Sequence, residues 1–390
     1  MTLQIFDARF AADPWPTLRR LRDDGGVHRV RTPDGPPAWL VTRFADVRAG
    51  LLDSRLSTQP RHAGETDYRG FVVPPPLDHA FLESEPDDHA RLRRAVTGEL
   101  SPRRLAEWAR TAPGLVEACL SEVGTGVEID LIERFAVSLP AAVLGELLGL
   151  AAPEREALLH WATSTLVPSS TPPRARDTLT TMRAIVLATM ERAQDDTVLG
   201  RLVSASHDNG SPNAQELAGV IFYLLFVWYE VVADLVGGSA LALLTHPDQL
   251  ALLRSMSDTR TAVDELLRYQ SPQVLSGPRF ATTELDIAGH TIRPGQTVLL
   301  CMASANHDPE IFDNPTDLDL TRTTNPHLGL GHGGHACLGT ALVRTIAGAV
   351  LDGLFLGDRT PTLTCDARNI QWRSGFRHRG PMELPVVLSS

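Results

Sequence analysis

A glycine-rich segment ending in one cysteine contains the residues best suited to do chemistry. Residues 327–339 read His-Leu-Gly-Leu-Gly-His-Gly-Gly-His-Ala-Cys-Leu-Gly. Glycine lets the backbone turn tightly and come close to a flat partner. An apolar run typical of a helix follows Cys337, and the free N–H groups at a helix start favour a thiolate. The segment therefore predicts Cys337 as an axial thiolate ligand to a metal.

A dinucleotide site is one alternative for this segment. Gly329, Gly331 and Gly334 spell G-x-G-x-x-G, and Asp352 follows roughly 20 residues on, as the fingerprint requires. That fingerprint needs a β-strand directly before it, and Thr-Thr-Asn-Pro-His is not typical of a strand. We therefore disfavour a dinucleotide site.

A zinc site and an inert cysteine are the other two alternatives. His327, His332, His335 and Cys337 could bind zinc, but the paired spacing of zinc modules is missing. A lone cysteine is often simply buried and inert, which would leave the run of glycines unexplained.

Composition limits the class of protein. The chain has 390 residues, 43% of them hydrophobic, which is enough for a substantial core. Its net charge of −11 argues against bulk nucleic-acid binding. Four scattered cysteines form no disulfide framework, and the first residues have no apolar core of signal or anchor length. We therefore expect a cytoplasmic protein with no nucleic-acid or membrane partner.

Lysine is absent, and all 36 basic residues are arginine. Schiff-base chemistry, a pyridoxal-phosphate lysine and a Walker-A lysine are therefore excluded.

Helical periodicity dominates the middle of the chain and strand-like runs lie towards both ends. Helices are expected near 87–98, 102–122, 129–149, 153–166, 174–192, 213–245, 247–255 and 259–270. Strands are expected at 27–30, 39–42 and 297–302, with a hairpin around 285–292. Segments 59–86 and 167–173 are long enough to be binding loops.

A second motif strengthens the interpretation of the cysteine segment. Glu265 and Arg268 form E-x-x-R on a predicted helix, where residues three apart share a face and can pair. Arg322 lies between this motif and Cys337. With this order and spacing, the chain resembles the cytochrome P450 family, specifically its soluble bacterial type, over essentially its whole length.

The resemblance implies a fold, a cofactor and a structural triad. The fold would be mainly α with small peripheral β-sheets (α+β), forming one P450-like domain over residues 1–390. Haem b would lie between a long central helix and the cysteine loop, with Cys337 as its thiolate ligand. Glu265, Arg268 and Arg322 would form the family's buried triad.

The resemblance also implies which residues bind the haem. Cationic side chains would neutralise two propionates in a largely apolar interior. These are His89, Arg93, Arg279 and His335, and the loop would add Leu330, Gly331 and Gly339.

An electron donor is a further implied partner. A ferredoxin-type protein would dock on a local concentration of arginines in an otherwise acidic chain. These are Arg91, Arg94, Arg103, Arg104 and Arg344.

The central helix departs from the family pattern. Bacterial members usually read Ala-Gly-x-Glu/Asp-Thr-Thr there, whereas this chain reads Val-Trp-Tyr-Glu-Val-Val over residues 227–232. The acid is kept as Glu230, but the alcohol that relays protons has become Val231. Trp228 replaces the glycine that opens a groove for dioxygen, and its indole either packs away from the site or reshapes the pocket. Leu330 replaces an aromatic residue beside the thiolate.

The predicted substrate pocket is apolar and fits a medium-sized ligand. Its predicted lining is Phe71, Val72, Leu166, Phe226, Val227, Leu275 and Phe376.

Three functions are therefore open. The first is an oxidative tailoring enzyme of bacterial secondary metabolism with atypical oxygen activation at Glu230, Trp228 and Val231. The second is a P450-fold enzyme of a non-oxygenating reaction, such as a cyclisation, dehydration or rearrangement. The third is a non-catalytic homologue that stabilises a pathway enzyme, against which the retained Cys337 counts.

Overall fold

The computed structural model describes residues 2–70, 77, 84, 86–167, 175–206, 212–373 and 376–389. Its α-helices are α1 (Ala8–Ala12), α2 (Trp15–Asp23), α3 (Phe44–Leu52), α4 (Pro86–Glu99), α5 (Pro102–Ala109), α6 (Ala112–Ser121), α7 (Ser138–Leu148), α8 (Ala152–Leu166), α9 (Ala175–Glu191), α10 (Val198–Ala205), α11 (Ala214–Phe222), α12 (Trp228–Thr245), α13 (Pro247–Ser255), α14 (Arg260–Gln270), α15 (Met302–Ala305) and α16 (Thr340–Leu351). Its strands are β1 (Val27–Arg31), β2 (Pro37–Val41), β3 (Leu56–Ser57), β4 (Glu128–Asp130), β5 (Arg279–Ala281), β6 (Leu285–Ile287), β7 (His290–Ile292), β8 (Thr297–Leu300), β9 (Thr360–Leu363) and β10 (Pro385–Ser389). The predicted fold class, mainly α with small β-sheets, is confirmed.

Several predicted boundaries are wrong for identifiable reasons. The predicted helix 102–122 is two helices, and Pro113 lies in the first turn of α6, where the missing proline N–H is tolerated. The predicted helix 129–149 begins instead as β4, followed by a π-turn at Ile132–Ala136 and then α7. The short helices α1–α3 and the strands β3, β5, β9 and β10 were not predicted.

The chain divides into two compact units. The first lies within residues 1–72, 260–337 and 371–380, and the second within 73–259, 338–370 and 381–390. The expectation of one domain over residues 1–390 stays a prediction.

A five-stranded sheet organises the first unit, in the order β1-β2-β8-β5-β3. Only β2 and β8 run parallel, with Trp39 opposite Val298. All four residues of β8 are buried, as a central strand covered on both faces requires. The predicted hairpin is confirmed as the pair β6 and β7.

A long central helix organises the second unit. It consists of α11, a π-turn at Tyr223–Val227, and α12. The helix starts at a capping box, where the Asn213 side chain accepts from the Glu216 N–H and the Glu216 carboxylate accepts from the Asn213 N–H. A three-stranded sheet in the order β4-β10-β9 completes this unit.

The run Ala214–Thr245 is long and apolar enough to cross a membrane on composition alone. However, 67% of its most apolar window is buried inside the structure, and the core helix of a soluble protein meets the same criterion.

Close packing fixes α12 against the π-turn at Ile132–Ala136. A Cβ atom on Gly237 would lie 2.4 Å from Ile132 Cδ1 and 3.0 Å from Pro381 Cγ. All three residues belong to the second unit. Glycine therefore sets how closely these segments approach.

We expect Gly237→Ala to lower the free energy of unfolding by about 1–3 kcal/mol, because the added methyl group overpacks this contact. Gly98→Ala is the matched control. Its Cβ on α4 would meet nothing within 4 Å, so helix propensity should make it neutral or slightly stabilising. Denaturant unfolding of both variants measures the difference, and equal effects would contradict the packing argument.

Candidate active site

A fully buried ion pair lies at the centre of the first unit. Arg268 donates from Nη2 to Glu265 Oε1 at 2.7 Å and from Nε to Glu265 Oε2 at 2.8 Å. Arg322 Nε donates to the same carboxylate at 3.1 Å. Glu265 and Arg268 are 0% exposed. The three residues that the sequence paired therefore lie in contact.

The buried pair is tied to the start of the cysteine loop through Asn306. Arg268 Nη1 donates to the Asn306 carbonyl at 3.0 Å. Asn306 Oδ1 in turn accepts from the Leu328 N–H at 2.7 Å, and its amide donates to Ser271 Oγ at 3.0 Å. Sequence reasoning did not select Asn306.

Short backbone hydrogen bonds close the cysteine loop on itself. The Gly331 N–H donates to Leu328 O at 2.8 Å, and the Cys337 N–H donates to Leu330 O at 2.8 Å. Gly331 and Gly333 have φ of +72° and +75°, a left-handed conformation that favours glycine. The glycines thus let the backbone double back and present Cys337, which is half-buried.

The loop geometry disfavours both other ligand types considered for it. No strand lies in the described segment 322–329, so the dinucleotide fingerprint lacks its required context. The His327 ring is held within the protein, because Nδ1 accepts from the Gly329 N–H at 3.2 Å and Nε2 lies 3.5 Å from Asp264 Oδ1. That arrangement removes His327 from the predicted zinc set.

Arg279 is a buried cation on β5. It is 6% exposed, and burial lowers the pKa of its guanidinium to about 10. Within the described part of the chain no carboxylate pairs with it, and its buried Nε has no hydrogen-bond partner. An unpaired buried charge is costly. This position therefore calls for an anionic group from outside the chain.

The remaining predicted haem residues lie on three other elements. On α4, His89 is buried and Arg93, one turn later, is half-buried, so both lie on one face. His335 ends a single 3-10 turn at Gly333–His335. Gly339 precedes α16 as its N-cap, with φ −89°. Leu330 contributes the carbonyl that accepts from Cys337.

These features fit a haem. Cysteine thiolate is an iron ligand of haem proteins, and a buried unpaired arginine matches the charge of a propionate. Cys337 would hold the iron, and Arg279 and His335 of the same unit would hold a propionate. His89 and Arg93 remain predicted propionate ligands.

The predicted catalytic residues follow a π-turn in the central helix. The turn spans Tyr223–Val227, so the predicted helix 213–245 is not regular at the point where the chemistry is expected. Such turns widen a helix and occur frequently at functional sites. Trp228, Glu230 and Val231 lie just beyond it, and all three are half-buried.

No free hydroxyl is offered by this segment. Between residues 227 and 232 the only hydroxyl belongs to Tyr229. Tyr229 is fully buried and donates its O–H to the Val137 carbonyl. It therefore cannot replace the alcohol that Val231 lacks.

The predicted pocket residues lie in different surroundings. Phe71 and Val72 are outside the described residues. Leu275 and Phe376 share one apolar cluster of the first unit, where the Phe376 ring lies 4.7 Å from that of Phe6. In the second unit, Leu166 and Phe226 are buried and Val227 is half-buried.

Trp161 of α8 was missed by sequence reasoning. Its ring packs edge-on against Phe226 at 4.6 Å and Tyr229 at 5.7 Å. A lone tryptophan in a helix without a clear apolar face gives no signal of this contact.

Most of the predicted docking arginines are engaged within the chain. Arg91 pairs with Glu216 and Asp88, Arg103 with Glu107, and Arg104 with Glu99. Arg94 is exposed and Arg344 is half-buried.

Comparisons with known proteins agree with this geometry. A sequence profile of the family described as Cytochrome P450 matches residues 240–353. The cytochrome P450 monooxygenase PikC of Streptomyces venezuelae is 36% identical over 393 residues, covering 97% of this chain and 91% of PikC. The chain belongs to the cytochrome P450 family.

Two further relatives extend the comparison. The 6-deoxyerythronolide B hydroxylase of Saccharopolyspora erythraea is 34% identical to this P450, with 97% of each chain covered. The tirandamycin C-bound P450 monooxygenase TamI superposes with a TM-score of 0.88 at 32% identity, covering 99% of this chain and 100% of TamI.

We expect Glu265→Gln to destabilise the protein by about 3–5 kcal/mol, because it leaves the Arg268 charge buried without its counter-ion. Glu107→Gln, which breaks the exposed Arg103 pair, is the control and should cost less than about 1 kcal/mol. Denaturant unfolding measures both. If both substitutions lowered the free energy of unfolding by similar amounts, the buried pair would not stabilise the fold more than an exposed pair does.

Removing the Arg279 charge should have opposite effects with and without haem. We expect Arg279→Met to release haem faster to an apoprotein acceptor and to stabilise the haem-free chain by about 1–4 kcal/mol, since an unpaired buried charge is gone. Arg279→Lys keeps the charge and should retain haem better. A methionine variant that holds haem as tightly as the wild type would contradict the assignment.

Proposed function

We propose that this P450 is a haem-thiolate monooxygenase-type enzyme of bacterial secondary-metabolite tailoring, acting on a medium-sized apolar substrate in the cytoplasm. One observation carries the haem assignment. The loop that presents Cys337 is held by the buried triad, and the same unit contains Arg279, a buried cation that no carboxylate of the described residues neutralises. The relatives named monooxygenase and hydroxylase support the reaction class.

The bound haem would supply electron transfer and dioxygen activation at a thiolate-ligated iron. The residues of this chain would bind the substrate and control protons. Glu230 is the acid of the catalytic segment. Val231 has nearly the shape of threonine but neither donates nor accepts a proton. Glu230 would remain the proton source, and a substrate hydroxyl or ordered water would relay its protons in place of the missing threonine. This makes the proposed oxygen activation atypical.

Electrons would come from a ferredoxin-type partner. Among the predicted docking residues, Arg94 is exposed on α4 and Arg344 is half-buried on α16. Rim charges of this kind change association rates more than affinity.

A non-oxygenating reaction on the same haem is the second candidate. The observation that favours it is the joint replacement of the groove glycine by Trp228 and of the alcohol by Val231. Iron would then serve as a Lewis acid in a cyclisation, dehydration or rearrangement.

Proton delivery distinguishes the two candidates. A hydroxyl at residue 231 would relay a proton to the reacting oxygen and should lower the release of hydrogen peroxide. We therefore expect Val231→Thr to lower the fraction of consumed dioxygen recovered as peroxide by about threefold or more, since positioned proton transfer is worth still larger factors. The measurement uses the holoenzyme reduced through a surrogate ferredoxin and its reductase.

Val231→Ala is the control, because it changes size without adding a hydroxyl and should leave the peroxide fraction unchanged. A wild-type holoenzyme that is reduced but consumes no dioxygen would contradict the monooxygenase proposal and favour the non-oxygenating one.

A further inference from the structure

The central helix has one side that the protein does not cover completely. Every residue of α12 from 232 to 243 is buried. Just before this stretch, Val227, Trp228 and Val231 are all only half-buried. Successive residues of an α-helix are rotated by about 100° around its axis, so these three side chains lie within an arc of about 100°. We call them the open stripe.

The other side of the helix is filled. Phe226 and Tyr229 contact the Trp161 ring at 4.6 and 5.7 Å. Phe226 and Tyr229 are 3% and 0% exposed. The open stripe therefore points away from the α8 contact.

The open stripe contains one polar atom. Valine side chains have none, and an indole contributes a single N–H that donates and never accepts. The Nε1 atom of Trp228 is buried, and no acceptor for it lies in the described part of the chain. A buried donor left without an acceptor costs about 1–3 kcal/mol. An acceptor from outside the chain would remove this cost.

We propose that the Trp228 indole N–H is a substrate-binding donor, and that the substrate is an apolar molecule with a hydrogen-bond-accepting oxygen, such as a ketone or lactone carbonyl. This inference rests on the proposed function and names its substrate class. Trp228 would position the substrate and would not relay protons, because an indole N–H is not an acid at ordinary pH. Val227 and Val231 would supply the apolar contacts on either side.

A matched pair of probes tests the proposal on the holoenzyme. Cyclododecanone has a carbonyl acceptor, and its exocyclic-methylene analogue has nearly the same shape without one. Binding is measured by the shift of the haem absorption band. We expect the ketone to bind about twofold to tenfold tighter than the methylene analogue, the gain of one net hydrogen bond. Trp228→Phe keeps a ring without the N–H and should abolish this preference.

Trp161→Phe is the control. Trp161 is 2% exposed and its Nε1 also has no hydrogen-bond partner among the described residues, but it lies on the filled side of the helix. Its loss should leave the ketone preference unchanged. Indole N–H resonances of the diamagnetic carbon monoxide complex give a second readout. Adding the ketone should move the Trp228 resonance downfield and leave that of Trp161 in place.

Three results would overturn the proposal. One is a ketone that fails to bind or binds no better than the methylene analogue. Another is a preference that survives Trp228→Phe, and the third is an unmoved Trp228 resonance in the saturated complex. Dioxygen consumption by the reduced holoenzyme is independent of these results, so the monooxygenase proposal would stand or fall separately.

Discussion

The buried Glu265–Arg268 pair is the constraint on which the candidate site depends. Two charges with no exposed surface are costly to bury, and the cost is offset only when every polar atom is engaged. Glu265 accepts from Arg268, Arg322, Asn325 and the Asp319 N–H. Arg268 also donates hydrogen bonds to three backbone carbonyls, including that of Asn306. The pair therefore fixes segments far apart in sequence.

Hydrogen bonds connect the buried pair to the cysteine loop. The Asn306 side chain accepts from the Leu328 N–H. Backbone hydrogen bonds from Gly331 to Leu328 and from Cys337 to Leu330 then close the turn that presents Cys337. A thiolate ligand needs such rigidity, because its position relative to the metal decides its electron donation. The triad is thus best understood as the support of the loop and not as a participant in chemistry.

The central helix is regular in one part and irregular in another. Residues 232–243 are all buried, whereas the π-turn at Tyr223–Val227 interrupts the regular hydrogen bonding just before Trp228, Glu230 and Val231. Trp228 directly follows this irregular turn. On the proposed function, Val231 leaves this face without the alcohol, and Trp228 gives it an N–H donor that would hold a substrate acceptor.

The sequence predicted the parts whose signals are local. Glu265 and Arg268 are three apart on one helix face, and the glycines before Cys337 are required by left-handed backbone, so both were found from spacing and residue type. The predicted starts and ends of α4, α8, α9 and α13 are also within about two residues of the structure.

Features that depend on distant contacts could not be predicted in this way. The Asn306 link, the edge-on packing of Trp161 on Phe226, and the π-turns arise from tertiary packing that no local pattern encodes. The helices α5 and α6 were joined in the prediction because periodicity continues across Pro113, although proline favours a new first turn.

The visible spectrum of the reduced protein with carbon monoxide tests the central claim most directly. A haem-thiolate centre at Cys337 predicts the strongly red-shifted Soret band of thiolate ligation, and this band should be lost in Cys337→Ala. A wild-type band at the position of a histidine-ligated haem, or a red-shifted band that survives the substitution, would contradict the account.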